Sequence, residues 1–582
     1  MSQNAPRSYY LTTPIYYVNA APHLGSAYCT IASDALARAM RMDGRDTWFL
    51  TGLDEHGQKI AQAAADQGMS PQDWVDAIAP EFINTWAALD VTNDDFIRTT
   101  EERHIQAVQR FFTLLYERGA IYADTYRGYY CVPDETFFTD EQLAEFAESR
   151  HAAGLPSVSE DGAPLCPDCA RALIFVEEDN LFFRLSDYQQ TLLDHYRDNP
   201  GFIQPEIRRN EVISFVSGGL KDLSVSRTSF DWGVPIPFAP GHVSYVWVDA
   251  LINYLTAVGF GSDDPAAQAE LAKRWPAQVH IVGKDIIRFH AVIWPAMLLA
   301  AGLPLPEMIF AHGFLLVNGQ KMSKSRGNVI HPLQISADFS VDGYRYFFLS
   351  DIQFGADSSF SIGRILQVYN ADLANSWGNL CSRVFNMTDR YLGGQVPELW
   401  PKTEAALTRS MGNPLAELAA TIYDTYIKAM EELDYTTAMA SVMALVNRAN
   451  LYLEESAPWA QAKARDEEAE AALAAGVSLD DATAPTEADK LSFMLYNSLE
   501  AIRIAALFFA PVMPNSSAEV WQRLGLGDIE AVTDLAQSAV WGGLPAGNTV
   551  TIGEPLFPRL SAEDITLTDT PGVVELAEED SE

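Results

Sequence analysis

Cysteine is scarce. The five residues Cys29, Cys131, Cys166, Cys169 and Cys381 are too few and too scattered among 582 for a disulfide framework, so reduced or metal-bound thiols are expected. Basic residues are also short: 39 Lys and Arg face 78 Asp and Glu, a formal net charge of −39. That balance excludes a general nucleic-acid-coating surface, because neutralising phosphates needs clustered cations; any nucleic-acid contact must be local. No apolar run reaches about 18 residues, the length of a membrane span, and the first residues lack the apolar stretch of a secretory signal. A cytoplasmic chain with no membrane partner is expected. The acid is concentrated in two places. Residues 466–492 carry eight acids and one base, and 561–582 carry eight acids and no base, which reads as solvated loop and tail. There is no internal repeat.

What is present is globular in composition, 48% apolar and 20% charged, and the length implies several packed units. Residues 9–13 read as a strand. The turn from Pro14 to Pro22 then leads into 25–42, where Tyr28, Ile31, Ala32, Ala35, Leu36, Ala39 and Met40 recur at helical spacing up to Gly44. With a strand at 47–51 this opens a βαβ unit, whose helix N-terminus aims backbone N–H groups at an anion in the turn. A strand at 96–100 follows. From 118 to 235 the sequence turns acidic and turn-rich, with knuckle-like cysteines; strand and helix then alternate again through 244–249, 278–283, 286–301 and 308–317. The expected fold class is α/β: a split Rossmann-like nucleotide-binding domain, 1–117 and 236–318, around a connective insert, 118–235. A short segment, 319–364, a helical bundle, 365–528, and an acidic tail, 529–582, complete the chain.

Two motifs sit in that frame. Pro22-His23-Leu24-Gly25-Ser26 occupies the first strand-to-helix turn, and Lys321-Met322-Ser323-Lys324-Ser325 follows a strand hairpin after the second half of the sheet. Singly, a turn histidine capping a helix and a solvated lysine loop are the ordinary readings. In this order and context the pair resembles the signature of class I aminoacyl-tRNA synthetases. The chemistry agrees with the resemblance, since attack of an amino-acid carboxylate on the α-phosphate of ATP builds negative charge that preorganised donors stabilise, without a protein nucleophile. The resemblance implies that His23 and the helix N-terminus hold phosphates, that Gly25 lets backbone approach the nucleotide, and that Lys321 and Lys324 lie along the departing pyrophosphate, with Mg2+ arriving on the ATP. The family's pattern usually has a second histidine where this chain has Ser26. A compensating donor is expected, with His312 the candidate.

The wider resemblance is to the bacterial methionyl-tRNA synthetases, on the stretches TTPIYYVNAAPHLG, FLTGLDEHG, RRNEVISFVSGGLKDLSVSR, YVWVDALINY, IVGKDIIRFH, FAHGF and KMSKSRGN. It implies a methionine pocket on Ile15, Tyr17, Trp247, Ala250, Tyr254, Ile286, Phe289 and His290, with Asp54 holding the substrate ammonium. ATP contacts fall on His23, Gly25, Gly283, Lys284, Asp285, His312 and Lys324. An aromatic and aliphatic sleeve with a weak donor near sulfur, from Tyr254 or His290, suits an unbranched thioether. The resemblance makes 319–364 the KMSKS loop and stem-contact segment and 365–528 an anticodon-binding domain, with Asn379, Arg383, Pro458 and Trp459 reading unpaired bases by stacking and edge hydrogen bonds. Implied partners are L-methionine, ATP and tRNA(Met), both initiator and elongator, with the enzyme a monomer.

Cys131 and Asp134, with the Cys166-Pro-Asp-Cys169 knuckle, have the spacing of a structural Zn2+ site. Asp134 stands where metal-binding relatives have cysteine, so a site of three cysteines and one aspartate and a metal-free knuckle are both compatible with the sequence. Two other functions fit less of it: a synthetase-like protein that binds without catalysing, and a synthetase for leucine, isoleucine, valine or cysteine. The insert is short for the editing domain of the branched-chain enzymes.

Overall fold

Strand β1 (Ser8–Tyr17) feeds helix α1 (Leu24–Met42), which returns the chain to β2 (Asp46–Asp54) and, after two helices, to β3 (Asp95–Arg98). The computed structural model describes residues 7–569 apart from 20, 133–135, 139, 318, 322–329 and 480–481. β1 and β2 pair in parallel with a register shift between Thr12 and Ile15, at Pro14, which has no N–H for the ladder. The next strands, β4 (Ile121–Cys131), β5 (Thr136–Phe138), β6 (Ile174–Phe183) and, beyond β7 (Ile203–Gln204), β8 (Leu223–Ser224), include an antiparallel sheet in the order β5-β4-β6-β8. A ribbon of β9 (Ser226–Arg227) and β10 (Val243–Ser244) follows.

β11 (Val279–Gly283) and β12 (Met308–His312) complete a six-stranded parallel sheet in the order β3-β2-β1-β11-β12-β7. The strand order reverses between β1 and β11, and a doubly wound sheet opens its ligand crevice at the C-terminal ends of the strands on either side of such a reversal. β7 differs from the expectation that 118–235 is one separate block, since it pairs with β12 as the sheet's edge. Its two residues are too short for any periodicity to register.

The sheet is covered on both faces, so its strands alternate between two cores rather than between core and water. Tyr9, Leu11, Phe49, Leu53, Val279 and Ile281 join one cluster with α1 and the helical bundle; Tyr10, Leu50, Val282, Ile309 and Ala311 join another with the helices Glu102–Glu117, Val246–Thr256 and Trp294–Ala301. The expected helix over 286–301 is broken: residues Phe289–Ile293 form a π turn before the α-helix Trp294–Ala301. Pro295 has no N–H to offer the carbonyl of Ala291, and the Tyr196 hydroxyl donates to that carbonyl instead at 2.5 Å.

After β12, a small sheet of β13 (Leu315–Val317), β14 (Gln320–Lys321) and β15 (Ser358–Phe360) has the order β14-β13-β15. Helices dominate from Ile362 to Arg523. Among the described residues one helix, Glu487–Phe509, is long and apolar enough to cross a membrane, and 94% of its apolar window is buried inside the fold. The bundle is tied to the sheet by Arg345, fully buried on the helix Pro332–Ser350. Its guanidinium donates to Asp34 of α1 at 2.6 Å and to the carbonyls of Leu89, Pro511 and Val512 at 3.1, 3.0 and 2.8 Å.

Candidate active site

The C-terminal ends of β1, β2, β11 and β12 bring together residues that are far apart in sequence. Tyr17 and Asp54 are register partners at the ends of β1 and β2; Asp54 is buried and Tyr17 half-buried, its hydroxyl donating to the carbonyl of His56 at 3.1 Å. Ile15 is half-buried one pleat earlier on β1. Gly283 and His312 are register partners at the ends of β11 and β12. A Cβ on Gly283 would lie 2.4 Å from Asp285 Oδ1, so only glycine lets the Asp285 carboxylate fold back over that turn.

His23 is the exposed N-cap of α1, and its Nδ1 accepts from the N–H of Ser26 at 3.2 Å. Gly25 leaves room for this ring, whose Cε1 would be 3.1 Å from any added Cβ. Ser26 closes the cap reciprocally: its Oγ accepts from the N–H of His23 at 3.1 Å and donates to the His23 carbonyl at 2.7 Å. The hydroxyl that replaces the family's second histidine is thus committed to the helix start. The compensation expected of His312 meets a physical obstacle. Burial lowers its pKa, favouring the neutral ring, and Nδ1 faces the Gly313 carbonyl at 2.9 Å. Because a carbonyl only accepts, Nδ1 carries the proton and Nε2 is left as an acceptor.

The helix Val246–Thr256 and the π turn face each other across the aromatic part of the site. Trp247 and Phe289 stack with centroids 4.0 Å apart and planes 14° from parallel. Ala250, Tyr254 and His290 are buried and Ile286 is half-buried. His290 Nδ1 donates to the Ile286 carbonyl at 3.0 Å, and the Tyr254 hydroxyl lies 2.7 Å from His290 Nε2. Burial holds the His290 pKa down at about 4, so the ring is neutral and the hydroxyl donates. Both protons of this pair are already used, contrary to the expectation of a spare donor for sulfur. The indole Nε1 of Trp247, buried without a hydrogen-bond partner, is the polar group in the sleeve that still has a proton to give.

Lys321 ends β14, while Lys324 and Asp134 lie outside the described residues. Lys284 is paired with Asp357, Nζ to Oδ2 at 2.5 Å. The Sγ atoms of Cys131, Cys166 and Cys169 all lie within 4.8 Å of one another, with Cys131 and Cys169 3.5 Å apart. Zinc–sulfur bonds of about 2.3 Å place tetrahedral thiolates somewhat under 4 Å apart, and the N–H of Asp168 already points at Cys166 Sγ, 3.4 Å away. The donor set fits zinc, and the small core around it, chiefly Phe138, Leu143 and Leu173, is one that a metal cross-link would stabilise.

In the bundle, Ser382, Arg383, Asn386, Met387, Tyr391 and Trp459 line a groove of about 400 Å³. Ala457, in the left-handed region at φ 45°, ends one helix and Pro458 begins the next, and this sharp turn presents Trp459 at 43% exposure. Arg383 is held by Glu454 at 2.6 Å. Asn379 is exposed one helical turn before Arg383, outside the lining residues.

One buried cluster escaped the sequence reading. Asp249, between Trp247 and Ala250, accepts from His56 Nδ1 at 2.7 Å and His104 Nε2 at 2.8 Å, all three being buried. Burial alone would push this carboxyl up, but the two imidazoles outweigh it and hold it at about 2. A carboxylate inside the apolar run 245–254 was the available signal, because such a group is buried only with partners.

A family model described as tRNA synthetases class I (M) matches residues 9–385. The methionine–tRNA ligase of Streptomyces coelicolor is 44% identical over 558 residues, which span 95% of this chain and 97% of the relative. That of Thermotoga maritima is 42% identical over 556 residues, 96% of this chain and 81% of the relative. The solved structure of Mycobacterium tuberculosis methionyl-tRNA synthetase in complex with methionyl-adenylate matches with a TM-score of 0.82 at 40% identity, covering 95% of this chain and 100% of that one; the apo form gives 0.77 at 37%, covering 96% and 100%. With a Rossmann-like parallel sheet and relatives over nearly its whole length, this chain belongs to the methionyl-tRNA synthetases of class I.

Proposed function

We infer that this chain activates L-methionine with ATP to methionyl-adenylate and pyrophosphate, then transfers methionine to the 3′ end of tRNA(Met). The observation that carries the reading is the set of residues at the C-terminal strand ends: Tyr17 is the register partner of Asp54 and Gly283 that of His312, His23 caps the helix that follows β1, and Trp247 stacks on Phe289. In this reading the thioether lies in a sleeve of Ile15, Tyr17, Trp247, Ala250, Tyr254, Ile286, Phe289 and His290, and Asp54 pairs with the ammonium by a charge-assisted bond that rejects substrates without an amine. His23 with the N–H groups of α1, the Gly283-Lys284-Asp285 turn, His312, and Lys321 and Lys324 surround the nucleotide. Mg2+ accompanies the ATP and spreads charge over its phosphates. The methionine carboxylate attacks the α-phosphate; the protein's part is to orient it and stabilise developing charge, with Lys324 on the departing pyrophosphate.

The domain reading is that 1–117 and 236–318 form the nucleotide fold, 118–235 the connective insert, 319–364 the loop and stem-contact segment, 365–528 the anticodon domain and 529–582 the tail. Trp459, Arg383 and Asn379 form the anticodon face, with the buried Pro458, expected to read bases, instead starting the helix that presents Trp459; the face serves both initiator and elongator tRNA(Met). Cys131, Cys166, Cys169 and Asp134 hold one structural Zn2+. The enzyme acts in the cytoplasm as a monomer, which sedimentation of the purified chain tests. ATP–pyrophosphate exchange that depends on methionine tests the central reading: no exchange from a folded preparation overturns it. Lys324→Ala is expected to lower exchange far more than it weakens methionine binding, and equal losses in both would count against the role given to Lys324.

A further inference from the structure

The segment 354–360 lies in none of the motifs, yet it braces the start of the hairpin strand β13, whose partner β14 ends at Lys321. The carbonyl of Phe354 accepts from the N–H of Gly313 at 3.0 Å, and Ser358 N–H donates to the Phe314 carbonyl at 3.0 Å. The approach is so close that a Cβ on Gly313 would sit 2.0 Å from the carbonyl oxygen of Ala356. β15 then runs parallel to β13, pairing Leu315 with Ser358 and Val317 with Phe360, and Ser359 Oγ accepts from the N–H of Gly319 at 2.7 Å just past the strand.

Asp357 is the hinge pin of this brace because its two oxygens serve different elements. Oδ1 accepts from the N–H of Phe314 at 2.9 Å, at the base of the hairpin. Oδ2 takes Lys284 Nζ at 2.5 Å, on the turn after β11, and the ammonium also sits over the Phe314 ring, 4.5 Å from its centroid. Burial would raise the carboxyl's pKa, but Lys284 and the Phe314 N–H outweigh it and keep the group ionised. The side chains are 20% and 38% exposed, and a pair this open to solvent contributes little to stability. Its geometric effect is larger: one carboxylate puts the 283–285 turn and the hairpin in a single frame.

We propose that Asp357 is a positioning residue for methionine activation, fixing Lys284 and the β13 hairpin relative to each other so that both nucleotide-contacting segments meet ATP in one preset arrangement. Donors held in place before the reaction need no reorganisation as charge develops on the phosphates. The proposal rests on the reading of 283–285 and of Lys321 and Lys324 as ATP contacts.

The test is exchange kinetics of the full chain with Asp357→Asn, which keeps an acceptor for Phe314 N–H and removes the charge facing Lys284. Expected is a fall of about tenfold or more in kcat/KM for ATP, methionine affinity by tryptophan fluorescence within about twofold of the parent, and an unchanged Tm. Asp357→Glu should recover part of the loss, and Asp357→Asn added to Lys284→Gln should cost little beyond Lys284→Gln alone, because the two act through one contact. Unchanged kinetics for ATP, parallel losses in methionine affinity and Tm, or losses that multiply in the double variant each overturn the proposal, as does an Asp357→Asn chain that does not fold. Exchange by the parent and its loss in Lys324→Ala judge the underlying site separately, so a failed site and a failed Asp357 role are told apart.

Discussion

Replacing Asp249 by asparagine removes one negative charge from a fully buried site, and both of its partners are imidazole N–H donors. The amide retains one acceptor and turns an N–H₂ toward the other imidazole, so one ring must change its tautomer or lose its bond. The size follows from the carboxyl's own titration. A shift from 3.8 to about 2 at about 1.4 kcal/mol per pH unit corresponds to about 2.5 kcal/mol, near the lower end of the about 3–5 kcal/mol for breaking a buried ionic group. The sign is that of a depressed acid: the stabilisation is fully present above the unfolded value near 3.8 and is lost as pH falls through about 2. Urea unfolding followed by tryptophan fluorescence should therefore give a deficit of about 2–3 kcal/mol for Asp249→Asn at neutral pH. The gap between parent and variant should narrow on acidification below about pH 4. Because Asp249 lies between Trp247 and Ala250 on one helix, KM for methionine should rise more than KM for ATP. A neutral-pH deficit under about 0.5 kcal/mol, or a gap that widens in acid, refutes the reasoning.

Trp459→Ala should raise KM for tRNA in aminoacylation by about 5- to 150-fold, from the about 1–3 kcal/mol of a stacked base, and leave pyrophosphate exchange intact; a matching loss in exchange would show that the side chain supports the fold instead. Elemental analysis of the purified chain should give one zinc per molecule, and Cys166→Ser should remove it and make the 121–183 region sensitive to protease; a metal-free parent refutes the site. Arg345→Met should destabilise the chain by about 3–5 kcal/mol, since it takes one of two cations from the buried Asp34 carboxylate and leaves the carbonyls of Leu89, Pro511 and Val512 without their donor; a Tm within a degree or so of the parent would show that Arg38, also bonded to Asp34 at 2.9 Å, suffices.

The beginning of the nucleotide fold was legible because its signals are strong and local. The 25–42 periodicity and the two apolar strands around it correspond to α1, β1 and β2, and the later strands 278–283 and 308–317 to β11, β12 and β13. The position of His23–Ser26 at the first strand-to-helix turn was legible too, and the structure has it there, at the end of the sheet where such folds bind ligands. What escaped was short or non-local. β7 has two residues, and its place at the sheet edge depends on β12, more than 100 positions away. The roles of Ser26 and His312 hinge on which atom carries a proton, which only the neighbouring carbonyls reveal. Asp357 and the Asp249 cluster join residues from separate elements, and nothing in the local pattern of either carboxylate names its partner.

Arg345 bears on how the molecule can be taken apart. A cut near residue 365, where the sequence changes to a bundle, looks like a natural place to separate a minimal activating fragment or to graft a foreign anticodon reader. It would remove the carbonyls of Pro511 and Val512 and leave a guanidinium meant for four acceptors with two. Fragments and chimeras of this chain should therefore carry the 511–512 turn along with the nucleotide fold or replace Arg345 at the same time, because the seam between modules runs through a cation rather than a linker.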